Sequence, residues 1–125
     1  MTLDEAIDFF EDIDKSITKV CITASEIMLG HLQIGQATAT LSGGENIRIK
    51  IMKASKSTAK VIGVDEPFKG LSNIEIDAVA NYLNRIREKG KTLIVIDHST
   101  GVEDYFSQWI QIENIDNRLI GKQFK

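Results

Sequence analysis

Val61-Ile62-Gly63-Val64-Asp65-Glu66-Pro67 and Thr92-Leu93-Ile94-Val95-Ile96-Asp97-His98 are two short apolar runs, each closed by an acidic residue. Neither alternates with polar residues, which is the pattern of a strand buried on both faces. Between them Ile76, Val79, Ala80, Leu83 and Ile86 recur at helical spacing, so a helix is expected from about Asn73 to Glu88, stopped by Gly90. Buried strands alternating with amphipathic helices predict an α/β fold whose sheet is covered on both faces, with a hairpin at its edge.

Working outward, Thr2-Leu3-Asp4-Glu5 is a capping-box pattern, and Leu3, Ala6, Ile7, Phe10 and Ile13 follow on one helical face. Ile17, Val20, Cys21, Ala24, Ile27 and Met28 continue the stripe as far as Gly30. Residues of about 2–30 therefore read as two amphipathic helices or a bent pair. Residues 30–44 lose periodicity and gain Gly, Thr and Ser, as a loop does. Ser42 with Glu45 forms another capping box, opening a helix whose inward face is Ile47, Ile51, Met52 and Ala54. After His98 the pattern predicts a short helix at Val102–Phe106, a strand at Trp109–Glu113, a turn at Asn114–Asn117 and a strand at Arg118–Ile120. The division expected is a helical part, 1–58, and a sheet-bearing core, 59–125.

With 125 residues, 42% of them apolar, there is room for one domain. A net charge of −3, from 15 basic and 18 acidic residues, argues against this segment holding nucleic acid unaided. Cys21 stands alone, so no internal disulfide or thiolate cluster can form, and on a helix's inner face it is a small apolar filler. The opening residues Asp4, Glu5 and Asp8 are acidic, unlike a signal peptide, and no apolar run nears the roughly 18–20 residues that span a bilayer. A reduced, cytoplasmic setting without membrane contact is the expectation.

Three features could carry chemistry. Leu41-Ser42-Gly43-Gly44-Glu45 opens a helix, where free N–H groups and the dipole favour an anion and glycine permits close approach. A glycine-rich turn with an N-cap serine is the plainer alternative. Asp65-Glu66 at a strand's end suits magnesium on the first carboxylate and water activation by the second; helix-start chemistry is the alternative. His98 ends the next strand, as a reacting group or as a structural histidine.

Taken in order, these features resemble the signature, Walker B strand with its glutamate, D-loop and switch histidine of the ATP-binding cassette (ABC) ATPases, a partial P-loop NTPase fold. Glu45, where transporter cassettes usually carry glutamine, points to the DNA-repair branch. The stretches Thr2–Glu11 and Leu32–Glu45 resemble the C-terminal half of the UvrA family of excinuclease proteins, and the similarity continues through Arg48, Lys50, Gly70-Leu71 and residues 94–98 to Trp109-Ile110. The resemblance implies that Ser42, Gly43 and Gly44, with Glu45, meet the γ-phosphate of ATP held by an opposing cassette. It implies that Asp65 supports Mg²⁺, Glu66 deprotonates the attacking water, His98 touches the γ-phosphate, and Gly70, Leu71 and Ser72 form the D-loop. The chain departs from the family pattern at Asn46-Ile47, at Phe68-Lys69 and at Gly63.

A P-loop requires Gly-x-x-x-x-Gly-Lys-Ser/Thr between a strand and a helix. Gly90-Lys91-Thr92 is the sole Gly-Lys-Thr, but Arg85 takes the first glycine position and the order is helix, turn, strand. The resemblance therefore implies a partner: a P-loop-bearing half or a full-length ATPase, working as a dimer, with DNA reached only through other regions. ATP and Mg²⁺ would be used only in the complete cassette, and the isolated chain is expected to be inactive as an ATPase. A non-catalytic partial cassette that regulates a complete one is the alternative.

Overall fold

The computed structural model describes residues 1–116 and 118–124, with Ile120, Lys122 and Phe124 described by their backbone alone. Helix α1 is Leu3–Phe10 and α2 is Lys15–Glu26; the Thr2 and Glu5 groups cap α1 reciprocally, and the Asp14 carboxylate accepts the Ser16 and Ile17 N–H groups at the start of α2. The two helices pack as a hairpin, but their buried face is narrower than the apolar stripe. Ala6, Thr18, Cys21 and Ala24 are buried, while Ile13, Ile17, Val20 and Met28 are exposed. Gly30 does not stop α2: the helix ends at Glu26, and Met28 takes the left-handed conformation (φ 64°) as the Leu29 N–H reaches the Ala24 carbonyl. Gly30 has another role, because a Cβ there would fall on the Asp4 carboxylate.

The 30–44 segment is a loop with one 3₁₀ turn, Thr38–Thr40, and it is stitched to the start of α1 by a Thr2–Gln33 bridge. Helix α3 spans Gly43–Ser55 and α4 spans Asn73–Glu88. Ile51 and Met52 of α3 are buried as expected, and Ile47 and Ala54 are half-buried. Arg48 is buried as well, against expectation, because it lies one turn before Met52 on the inward stripe.

Strands β1 (Val61–Asp65) and β2 (Thr92–Ile96) pair in parallel, Val61 opposite Thr92 and Asp65 opposite Ile96. Ile62 and Val64 are buried, with Leu93 and Val95 half-buried beside them, whereas Val61, Ile94 and Ile96 are each more than half exposed. The sheet is thus covered on one face by this chain and open on the other, which corrects the two-face expectation. The open face carries Val61, Ile94 and Ile96 beside Gly63, Asp65 and Thr92, so it is apolar enough that the strands show no clean alternation to mark it as the outer side.

The hairpin differs too. Strands β3 (Trp109–Ile115) and β4 (Arg118–Phe124) form an antiparallel sheet of their own and are not an edge of the parallel pair. They run longer than expected, and Asn117 of the expected turn lies outside the described residues. Val102–Phe106 contains one 3₁₀ turn, Glu103–Tyr105, in place of a helix. The core joins Ala24, Ile27, Leu29 and Leu32 to Ile51, Met52, Ile62, Val64, Phe68, Val79, Leu83 and Ile86. Pro67 and Phe68 are among the most deeply buried residues, and Phe68 meets the edge of Phe106. The Lys91 ammonium of the false P-loop motif donates to the Ser57 and Ala59 carbonyls at 2.7 and 2.5 Å, so it clips the connection between α3 and β1.

Candidate functional site

The parallel register brings the C-terminal ends of β1 and β2 side by side. The ladder runs one step past Asp65, where the Glu66 N–H donates to the Ile96 carbonyl at 2.6 Å and Glu66 adopts φ 51°. A left-handed glutamate is uncommon, and it turns the chain sharply into Pro67-Phe68. The Glu66 carboxylate then lies between two basic groups, with Oε1 at 3.5 Å from His98 Nε2 and Oε2 at 3.6 Å from Lys69 Nζ. The Glu66 side chain is 32% exposed and the His98 side chain 86%, so the pair faces outward at the strand ends. Asp65, the neighbouring carboxylate, is exposed.

Asp97, between Ile96 and His98, escaped the sequence reading as a site residue. Its Oδ2 accepts the Phe68 N–H at 3.1 Å, 29 residues away, and its Oδ1 accepts the Ser99 N–H at 2.7 Å. The Asp97-x-Ser99 spacing is the local signal of an Asx turn; the bond to Phe68 leaves no mark in sequence.

A second group of residues lies at helix starts. Ser42 Oγ accepts the Glu45 N–H at 3.2 Å and Glu45 Oε1 accepts the Ser42 N–H at 3.1 Å, closing the expected capping box. Glu45 Oε2 also lies 3.4 Å from His31 Nε2. The Ser42 backbone N–H first, and then His31 and the Ser42 hydroxyl, hold the Glu45 carboxyl below the ordinary glutamate range. Ser42 and Gly43 remain exposed. Gly44 abuts the next loop, since a Cβ there would lie 3.7 Å from Leu71 Cδ2 and 3.9 Å from the Lys69 carbonyl.

Gly70 uses its freedom from a Cβ at φ 72°, and Ser72 caps α4 through a box with Glu75. The Ser72 hydroxyl donates to Glu75 Oε1 at 2.9 Å, and Arg48 Nη1 donates to Glu75 Oε2 at 3.2 Å. Both bonds keep the Glu75 carboxyl below its ordinary range, the serine contact first. The structure thus assembles Asp65, Glu66 and His98 at the strand ends, and Ser42–Glu45 beside Gly70–Ser72 at the helix starts. Among the described residues no hydrogen bond or ion pair links Ser42–Glu45 to Asp65, Glu66 or His98.

No group of three or more His, Cys, Asp or Glu among the described residues could cage a metal ion. Magnesium commonly takes one or two carboxylates and completes its shell with phosphate and water, so Asp65 fits it together with a nucleotide. Two open grooves lie away from the strand ends, one between α4 and residues 104–107, the other beside His31 and Glu45. No helix among the described residues is long and apolar enough to cross a membrane.

No family model matches the chain. Its sequence is 39% identical over 105 residues to UvrABC system protein A of Rickettsia bellii (strain RML369-C) and 40% identical over 105 residues to that of Staphylococcus aureus (strain COL). Each match covers 82% of this chain and 11% of the relative. The crystal structure of UvrA2 from Deinococcus radiodurans aligns over 98% of the chain and 16% of its own, with a TM-score of 0.83 and 32% identity. This chain belongs to the UvrA family of ABC-type ATPases. An ATP-binding cassette of an ABC transporter, MJ1267 in its ADP conformation, aligns over 86% of the chain and 50% of its own at a TM-score of 0.53. At 21% identity it speaks for the fold alone, a partial P-loop NTPase. The UvrA-family segment spans about a tenth of the length of the curated relatives it matches.

Proposed function

We propose that this segment supplies the signature, the magnesium-supporting carboxylate and the water-activating glutamate of a UvrA-type ATPase working in nucleotide excision repair in the cytoplasm. The observation that carries the reading is the Glu66–His98 contact of 3.5 Å at the ends of two adjacent parallel strands. In open α/β sheets that edge is where nucleotides bind.

Glu66 is partly exposed and held between His98 and Lys69, so it can orient a water and accept its proton. His98, more exposed still, can reach a phosphate oxygen. Asp65 would hold Mg²⁺, which when bound offsets the charge gathering on the transferred phosphoryl group. Ser42, Gly43 and Gly44 offer a hydroxyl and N–H groups at a helix start to the γ-phosphate of a nucleotide on an opposing cassette. Glu45 serves this site by closing the capping box that shapes the turn. Gly70, Leu71 and Ser72, of which Leu71 lies beside Gly44, would transmit between the two sites of a dimer.

These 125 residues hold no P-loop sequence, so the chain alone should bind ATP weakly and turn none over. Adding a polypeptide with the P-loop half of a UvrA cassette should restore magnesium-dependent hydrolysis. Glu66→Gln should then remove turnover far more than nucleotide binding. An inactive mixture, or one indifferent to Glu66→Gln, would refute the catalytic reading. The same lack of a P-loop sequence supports a second reading, a non-catalytic partial cassette that docks on a complete ATPase. On that reading the chain alters the activity of the complete enzyme equally with Glu66 or Gln at position 66.

A further inference from the structure

The Glu66–His98 spacing has a structural cause. Each residue sits on a short loop after its strand, and its own side chain is partly or largely exposed, so packing around that side chain does not fix its place. Phe68, two residues past Glu66, is anchored in the core, but its backbone N–H still needs an acceptor. Ser99, one residue past His98, has the same need. One carboxylate answers both: Asp97 Oδ2 accepts from Phe68 at 3.1 Å and Oδ1 from Ser99 at 2.7 Å.

The two loops are thereby tied to each other just beyond the last ladder bond, Glu66 N–H to the Ile96 carbonyl. We infer that Asp97 is the positioning residue of this site, its two oxygens locking the 66–68 and 97–99 loops together and so setting the distance between Glu66 and His98. The inference rests on the reading of that pair as the reacting groups. Both oxygens are needed. An amide in place of the carboxylate has one acceptor, and turns an N–H toward the other backbone N–H.

The test uses the isotopically labelled 125-residue chain and its Asp97→Ala and Asp97→Asn variants, read by nuclear magnetic resonance. In the parent the Phe68 and Ser99 amides should exchange slowly, and an Overhauser contact should join the His98 ring to the Glu66 side chain. Asp97→Ala should expose both amides and Asp97→Asn one of them. In both variants the His98–Glu66 contact should fall to less than half, with α4 amides still protected. Asp97→Asn is isosteric and carries the test should the alanine variant not fold.

Combined with a P-loop polypeptide, Asp97→Asn should lower kcat about tenfold or more with KM little changed, since misplaced reacting groups slow the chemical step. A His98–Glu66 contact unchanged in both variants overturns the inference. Loss of the contact in a mixture whose turnover ignores both Asp97→Asn and Glu66→Gln leaves Asp97 as the positioner and overturns the ATPase reading. Turnover that needs Glu66 but tolerates Asp97→Asn leaves the ATPase reading and overturns this one.

Discussion

Replacing Glu75 by Gln should cost the fold more than replacing its partner Arg48 by Met, although each change deletes the same ion pair. The Arg48 side chain is 5% exposed and that of Glu75 is 31%. Arg48 donates through Nη1 to Glu75 at 3.2 Å, while its buried Nε has no hydrogen-bond partner among the described residues. Glu75→Gln keeps an oxygen for the Ser72 cap but leaves a buried guanidinium without a countercharge. Breaking a fully buried pair in this way costs about 3–5 kcal/mol, and with Glu75 partly in water about 1–3 kcal/mol is expected here. Arg48→Met removes the charge and the unpartnered Nε together and fills the site with an apolar chain of similar length. Its cost should stay below about 1 kcal/mol or change sign. The double variant should resemble Arg48→Met alone, because the second change then strands nothing. Urea unfolding followed by circular dichroism measures all three. Arg48→Met proving as costly as Glu75→Gln would refute the argument and make Arg48 a packing residue whose charge is incidental.

Three capping glutamates should govern acid stability: backbone and side-chain bonds from Thr2, Ser42 and Ser72 hold Glu5, Glu45 and Glu75 below the ordinary value of 4.5. The unfolded chain takes up these protons first, so stability should be full above about pH 4.5 and fall as the pH drops through the lower folded values; Gln at all three positions should flatten that fall in melting temperature, and an unchanged slope would count against it. Burial pushes the Cys21 thiol up, so alkylation at pH 8 should proceed only on unfolding; stoichiometric labelling of the native chain at the rate of a free thiol would contradict its placement. The open sheet face bearing Val61, Ile94 and Ile96 should make the isolated chain associate as concentration rises, with Ile94→Lys and Ile96→Lys weakening that association in light scattering. A parent chain that stays monomeric over a wide range would show that this face tolerates water.

Elements governed by local chemistry were legible from the sequence. Helix α4 runs from Asn73 to Glu88 because Ser72 caps its start and Gly90, at φ 95°, follows its end. The turn Ser42–Glu45 closed as its residue types dictate. What escaped was decided by partners distant in sequence. Arg48 lies on an inward stripe, but a charge is discounted until Glu75 stands beside it. Phe68 belongs to no apolar stripe of the sequence, and its burial follows only from Phe106 and the core closing over it. The hairpin's independence and the sheet's bare face depend on which strands find neighbours, and apolar runs carry no address for that. In the strand-end site the reacting types were visible, whereas Lys69 and Asp97 emerged only once the two loops were brought together.

The backbone angle of Glu66 sets stability and chemistry in competition at one position. A glutamate at φ 51° gives up on the order of 1 kcal/mol that glycine would not, and asparagine would give up less. Selection for a sturdier fold alone would therefore erode the carboxylate, and a thermostability screen should recover Gly or Asn there with the contact to His98 lost. A chain that keeps glutamate at that turn carries a standing handicap in folding. Its persistence or decay would record whether the group facing His98 is still in use.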